Sequence, residues 1–214
     1  MKICSTAKCI AVVLLFAAMP VQRASAFDRL KAIQNIQSND LELQKEGARQ
    51  ILENRQGIIS ALRTLIEQTP KEIKGPKRNN VLHASVVHAI DTLGQMRAIE
   101  AVELLVHYMD FPRHTSRLFV DVLRYPDKNF PAVGALISIG RPSIPPILDA
   151  LENGRSEERL FLYLARWAVY RIEGGRAEAI FHLESELKKA KSPERKAAVR
   201  KLLEYTKEAG SKSQ

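Results

Sequence analysis

Residues 89–105 read Ala89-Ile90-Asp91-Thr92-Leu93-Gly94, a short gap, then Ala98-Ile99-Glu100-Ala101-Val102-Glu103-Leu104-Leu105. The apolar spacing predicts the end of one amphipathic helix, a glycine-closed turn, and a second helix folding back on the first. An alanine permits close helix approach, the aliphatic residue one turn later fills the contact, and glycine supplies the left-handed conformation that ends the helix.

The same grammar recurs at Ala48 and Leu52 before Asn54, at Ala135 and Ile139 before Gly140, and at Ala168 and Ile172 before Gly174-Gly175. The steps are 41 residues from Ala48 to Ala89, 46 on to Ala135 and 33 on to Ala168, near the roughly 33 to 47 residues of paired-helix repeats. A lone hairpin of this kind cannot bury its apolar face, so neighbours must stack on it. The expected fold is therefore all-α: an α-solenoid of about four helical hairpins with an N-terminal entry helix and a C-terminal capping helix.

The chain resembles the HEAT-like repeat family in its bacterial form, shared with the phycobilin-lyase-type repeats. Ala89-x-x-x-Leu93-Gly94-x-x-x-Ala98-x-x-Ala101-Val102-x-x-Leu105 carries the resemblance, with Ala135-x-x-x-Ile139-Gly140-Arg141-Pro142-Ser143-Ile144-Pro145-Pro146-Ile147-Leu148. The second and third repeats match well, the first and fourth loosely. The resemblance implies a helical-repeat fold and a binding role, and no reaction, because function does not follow from fold alone.

Residues 1–26 have each part of a secretory signal. Lys2 and Lys8 form a basic start, an apolar run from Cys9 to Met19 is shorter than the ~20 residues of a membrane span, and Ala24-Ser25-Ala26 places small residues for cleavage. Cleavage after Ala26 removes both cysteines of the chain, so no disulfide, thiolate nucleophile or Cys-ligated metal is expected. Three of the 33 Lys and Arg also leave and no acid does, which takes the net charge from +9 to +6, 30 against 24. Residues 27–209 then form one solenoid and 210–214 a disordered tail, in a periplasmic or secreted protein.

Within that domain, 27–37 reads as the entry helix, and Ser38, Asn39 or Asp40 can cap the helix carrying Ala48 and Leu52. A partner helix with Ile58, Leu62, Leu65 and Ile66 stops at Thr69-Pro70, and 71–80 is a polar loop. The second repeat spans 81–109. An inserted helix capped by Thr115 or Ser116 ends at Tyr125-Pro126, and the third repeat spans 129–151. Pro145 and Pro146 fit only in a first helical turn. Ser156 with Glu157 and Glu158 is expected to open the fourth repeat, and Ser192-Pro193-Glu194 a last, solvated helix.

Few constellations carry chemistry. Glu100, Glu103, His107 and Asp110 recur at helical steps of three and four, reading as one stripe on the helix opening at Ala98. A metal site would need ligands from a facing helix; otherwise Glu103 pairs with His107 on a solvated face. His83 and His88, five apart, stand about 140° round a helix and cannot share a metal. Neither is followed by Glu, as in the His-Glu pairs of dinuclear-iron HEAT hydroxylases. No hydrolase elbow, zinc-protease or phosphate-loop motif occurs, so the expectation is no enzyme, no catalytic residue, no metal and no cofactor.

The most informative patch lies on the helix over 156–172. Phe161, Leu164, Ala165, Ala168 and Ile172 make its core face, while Tyr163, Trp167 and Tyr170 lie nearly opposite, rimmed by Arg159 and Arg166. Aromatics with arginines have the composition of a binding hot spot, although solenoid helices often bury two faces. The expectation is that part of this stripe is open to another protein. The alternative partner is an anionic envelope surface held by Lys74, Lys77, Arg78, Arg113, Arg117 and Arg124. Nucleic acid is not expected outside the cytoplasm, nor a transmembrane segment after cleavage.

Overall fold

The computed structural model describes residues 40–69, 80–113 and 124–208, and Asn35 besides. The signal, the entry helix apart from that one residue, the 71–79 part of the polar loop, the helix expected after Thr115 or Ser116 and the tail lie outside them. The described residues form nine α-helices and no strand. They belong to two compact units, residues 1–57 and 58–214.

The first unit is described chiefly from residue 40. Helix α1, Leu41–Gln68, begins there. Asp40 Oδ1 caps it by accepting the Glu42 amide at 2.8 Å. Glu46 accepts from Arg49 at 2.7 Å and Glu42 from Lys45 at 2.8 Å along its solvent face. The turn expected at Asn54 does not exist. Asn54 costs a helix only a fraction of a kcal/mol, and Gly57 has nothing within 4 Å of the place a Cβ would occupy. Without proline or a left-handed residue nothing stops the helix, and Leu52, 59% exposed, is no core anchor.

In the second unit, α1 ends where Thr69 Oγ1 bonds back to the Leu65 carbonyl. Then follow α2 (Asn80–Gln95), α3 (Val102–His107), α4 (Pro126–Asn129), α5 (Pro131–Ile139), α6 (Ile144–Glu152), α7 (Arg159–Glu173), α8 (Arg176–Lys189) and α9 (Pro193–Glu208), with 3₁₀ turns before α3, α6 and α7. Helix α2 packs on α5 and α5 on α7, while α3 packs on α6 and α6 on α9. Ala89, Leu93, Ala98, Ala101, Val102 and Leu105 are all buried, as are Ala135, Ile144, Ile147 and Leu148. Each large aliphatic residue taken fully out of water contributes roughly 1.5 to 3 kcal/mol.

The turns differ from expectation in instructive places. Gly94 stays helical, and a Cβ on it would lie 2.6 Å from Ala135 Cα, so it sets the approach of α2 to α5. The left-handed residue is Arg97, φ 48°. Its amide bonds to the Gly94 carbonyl and that of Ala98 to Leu93, the paired closure of a Schellman turn. Gly140 and Gly174 do take the positive φ, 89° each.

Pro126 opens a helix, since the first helical position needs no amide. Pro145 and Pro146 stand in the first turn of α6 as expected. Ser156 is inside a 3₁₀ turn and α7 starts from Glu158 without a side-chain cap. Ser192 does cap α9, its Oγ accepting the Arg195 amide at 3.0 Å.

Helix α9 is more than a solvated cover. Its buried Ala198, Val199, Leu202 and Leu203 serve α8 and α6 together. Arg195 pairs with Asp149 and Glu152 of α6, Ser192 donates to Glu152 at 2.6 Å, and Lys201 pairs with Glu157 at 2.8 Å.

Candidate functional site

Helix α7 places the aromatic stripe. Phe161, Leu162, Leu164, Ala165, Ala168 and Val169 are buried, so the helix hides two faces and leaves the stripe between them. Tyr163 and Trp167 are half-buried against the core, and Tyr170 is 38% exposed. Trp167 and Tyr170 stand 5.9 Å apart between ring centres. The indole Nε1 donates to Asp127 at 3.1 Å, and the Arg171 guanidinium lies 5.8 Å from its ring. One edge of the tryptophan is thus fixed by α4.

The other edge opens on a cleft of about 160 Å³, lined by Arg166, Trp167, Tyr170, Arg176 and Thr206. Arg166 sits between two phenol rings, 5.1 Å from Tyr163 and 5.2 Å from Tyr205. Burial pushes the Tyr163 phenol above its ordinary range, and Arg166 acts in the opposite direction. Arg176, the first residue of α8, donates Nε to the Thr206 carbonyl at 3.2 Å and Nη2 to the Lys207 carbonyl. Those are the last carbonyls of α9, the negative end of its dipole, so the cation closes α9 and walls the cleft at once.

Of the five residues expected here, Arg166, Trp167 and Tyr170 come together. Tyr163 stands behind Arg166, and Arg159, exposed at the start of α7, is not in the lining. Arg176 at the start of α8, and Tyr205 and Thr206 on α9, were not legible as a group, because only the return of α9 brings them together. Asp127 was masked by the expectation that Tyr125-Pro126 ends a helix.

Of the basic alternative, Arg113 and Arg124 fall within the described residues. Arg113 holds Asp91 through two bonds of 2.7 Å, donates Nε to the Lys128 carbonyl at 2.8 Å, and its own carbonyl meets His83 Nε2 at 3.0 Å. Its guanidinium is a tie between segments. Arg124 lies 5.5 Å from the Tyr125 ring. Lys74, Lys77, Arg78 and Arg117 lie outside the described residues.

The acidic stripe does not form as expected, because α3 starts only at Val102 and runs six residues. Glu100 falls in the 3₁₀ turn, where its carbonyl accepts from Arg63 at 3.2 Å. Asp110 turns to Arg155 at 3.1 Å. Glu103 and His107 border a second cleft, about 260 Å³, against Asp149, Asn153 and Arg155 of α6 and its following turn. Asp149 is held by Arg195, and the Arg155 guanidinium lies 3.9 Å from the Phe161 ring, so these charges serve packing.

Among the described residues no three His, Cys, Asp or Glu stand together as a metal site would need, and no helix is long and apolar enough to cross a membrane. No family model, no curated protein and no solved structure matches the chain. The functional reading therefore rests on the geometry of α7, α8 and α9.

Proposed function

We propose that this chain is an exported protein-interaction scaffold of the HEAT-like α-solenoid kind, which holds a partner protein at the cleft beside Trp167 and Tyr170. The packing of α2 on α5 and of α5 on α7, and of α3 on α6, supports the stacked-hairpin reading, because in such arrays like-placed helices contact each other. Residues 1–26 support export, with the protein acting in the periplasm or beyond.

The observation that carries the reading is the open aromatic–arginine cleft itself. Rings supply large contact area at small entropic cost, arginine supplies several donors, and both are the residues on which interface energies concentrate. Catalysis would need a nucleophile and base brought together, and the cleft offers stacking and charge instead.

The test places p-benzoylphenylalanine at Tyr170 and, as control, at exposed Lys196, then irradiates the tagged protein in its native envelope fraction. A discrete covalent adduct from the Tyr170 position, not formed from Lys196 and surviving moderate salt, is the expected outcome. Equal or no labelling at the two positions overturns the reading.

A further inference from the structure

Several arginines of the second unit hold carboxylates. Arg113 holds Asp91, Arg155 holds Asp110 and Glu158, and Arg195 holds Asp149 and Glu152, each with at most 29% of its side chain exposed. Exposed Arg141 and Arg171 likewise reach Glu173 and Asp127. Half-buried Arg166 departs from this: among the described residues no carboxylate lies within salt-bridge reach of it, and its neighbours are the rings of Tyr163 and Tyr205. A guanidinium partly withdrawn from water without an anion forgoes the strongest hydrogen bonds it can make.

Its surroundings say what would complete it. Among the described residues the cleft is lined by two guanidiniums, two rings and Thr206, with no carboxylate. Arg176 gives donors to the Thr206 and Lys207 carbonyls, and its positive charge remains in the wall. The acid nearest the tryptophan, Asp127, is held on the Nε1 edge and shared with Arg171. Beside Arg166 the cleft is thus positive in charge and aromatic in surface.

We infer that the cleft between α7, α8 and α9 receives an acidic peptide segment of the partner, one Glu or Asp carboxylate on the Arg166 guanidinium with an adjoining apolar side chain against Trp167 and Tyr170. This rests on the scaffold reading above and names the chemistry of the partner. Charge complementarity selects the acid, and the flanking rings select a peptide over a bare anion, since inorganic phosphate leaves the aromatic wall uncovered.

Trp167 is the only tryptophan of the chain, so its emission reports on the cleft alone. The intact protein is titrated with a blocked hexapeptide alternating leucine and glutamate, with its leucine–glutamine counterpart, and with inorganic phosphate. A saturable change with the glutamate peptide is expected, at least tenfold weaker with the glutamine peptide, a difference of about 1.4 kcal/mol. Phosphate at the same concentrations should leave the emission unchanged. Arg166→Gln should weaken the glutamate peptide tenfold or more, and Arg166→Lys less.

The peptide comparison uses the unaltered protein, so a variant that fails to fold does not decide the matter. Equal binding of the two peptides overturns the acidic specificity while leaving an aromatic docking site standing. A response to phosphate equal to that of the glutamate peptide shows a general anion site and overturns the inference. No response to any peptide does so too, and the Tyr170 cross-link then tests the scaffold reading separately.

Discussion

Gly94 and Ala135 meet where α2 crosses α5, and a single methyl group decides whether they can. Gly94→Ala should cost about 1 to 3 kcal/mol by overpacking, seen as a lower urea midpoint at unchanged slope. Arg97→Gly should do the reverse, raising stability by about 0.5 to 1 kcal/mol, because the left-handed conformation is costly for any side chain. The sequence showed that a turn follows Leu93 but not which residue bends. Local glycine content could not reveal that Gly94 is reserved for a contact with a helix beginning at Pro131.

Tyr108 is a residue of the same kind, silent in sequence and structural in place. Its hydroxyl donates to the Ile66 and Thr69 carbonyls at 3.0 and 3.2 Å, and burial, with Glu67 nearby, pushes its phenol above the usual value of 10. The folded protein therefore favours the protonated phenol. That stabilisation is complete below the unfolded value near pH 10 and is lost as the pH rises through the higher folded one. Tyr108→Phe should cost about 1 kcal/mol at neutral pH and make unfolding less steep in alkali, as pH-resolved thermal melts would show.

Among elements, the caps separate what sequence tells from what it does not. Ser156 and Ser192 both precede acids and an apolar run, yet only Ser192 receives a helix amide. The difference lies in the chain before them: Gly154, φ 101°, leads into a 3₁₀ turn that carries Ser156 past the capping position. Ser192→Ala should cost about 1 kcal/mol and Ser156→Ala under half of that, a contrast a pair of denaturant titrations resolves. The prolines of α6 were readable because the rule for a first turn is local. Those at Pro126 and Pro131 were not, since proline both ends one helix and opens the next.

At the scale of the molecule, the core of α2, α3, α5, α6 and α7 was legible from periodicity, since these helices bury nearly all the residues their spacing assigns, with Ile172 of α7 only half-buried against the core. The cleft was half legible. Trp167 and Tyr170 declared themselves by standing opposite the core face, while Arg176 and Thr206 depend on where α9 goes. That course is set by an α6 surface no local pattern describes. Truncation after residue 190 should therefore do more than free α8: it exposes apolar surface on α6 as well and should abolish cooperative thermal unfolding by circular dichroism.

The seat of α9 on α6 also imposes a timetable. A ribosome finishes Glu152 about 40 residues before it starts on Pro193, an interval of roughly 2 to 8 s at ordinary elongation rates. Throughout that interval the nascent chain carries a greasy flank with no native mate, and a premature stop codon makes the condition permanent. Shortened products should thus be the natural clients of holding chaperones and quality-control proteases, even when the reading frame through α8 is intact.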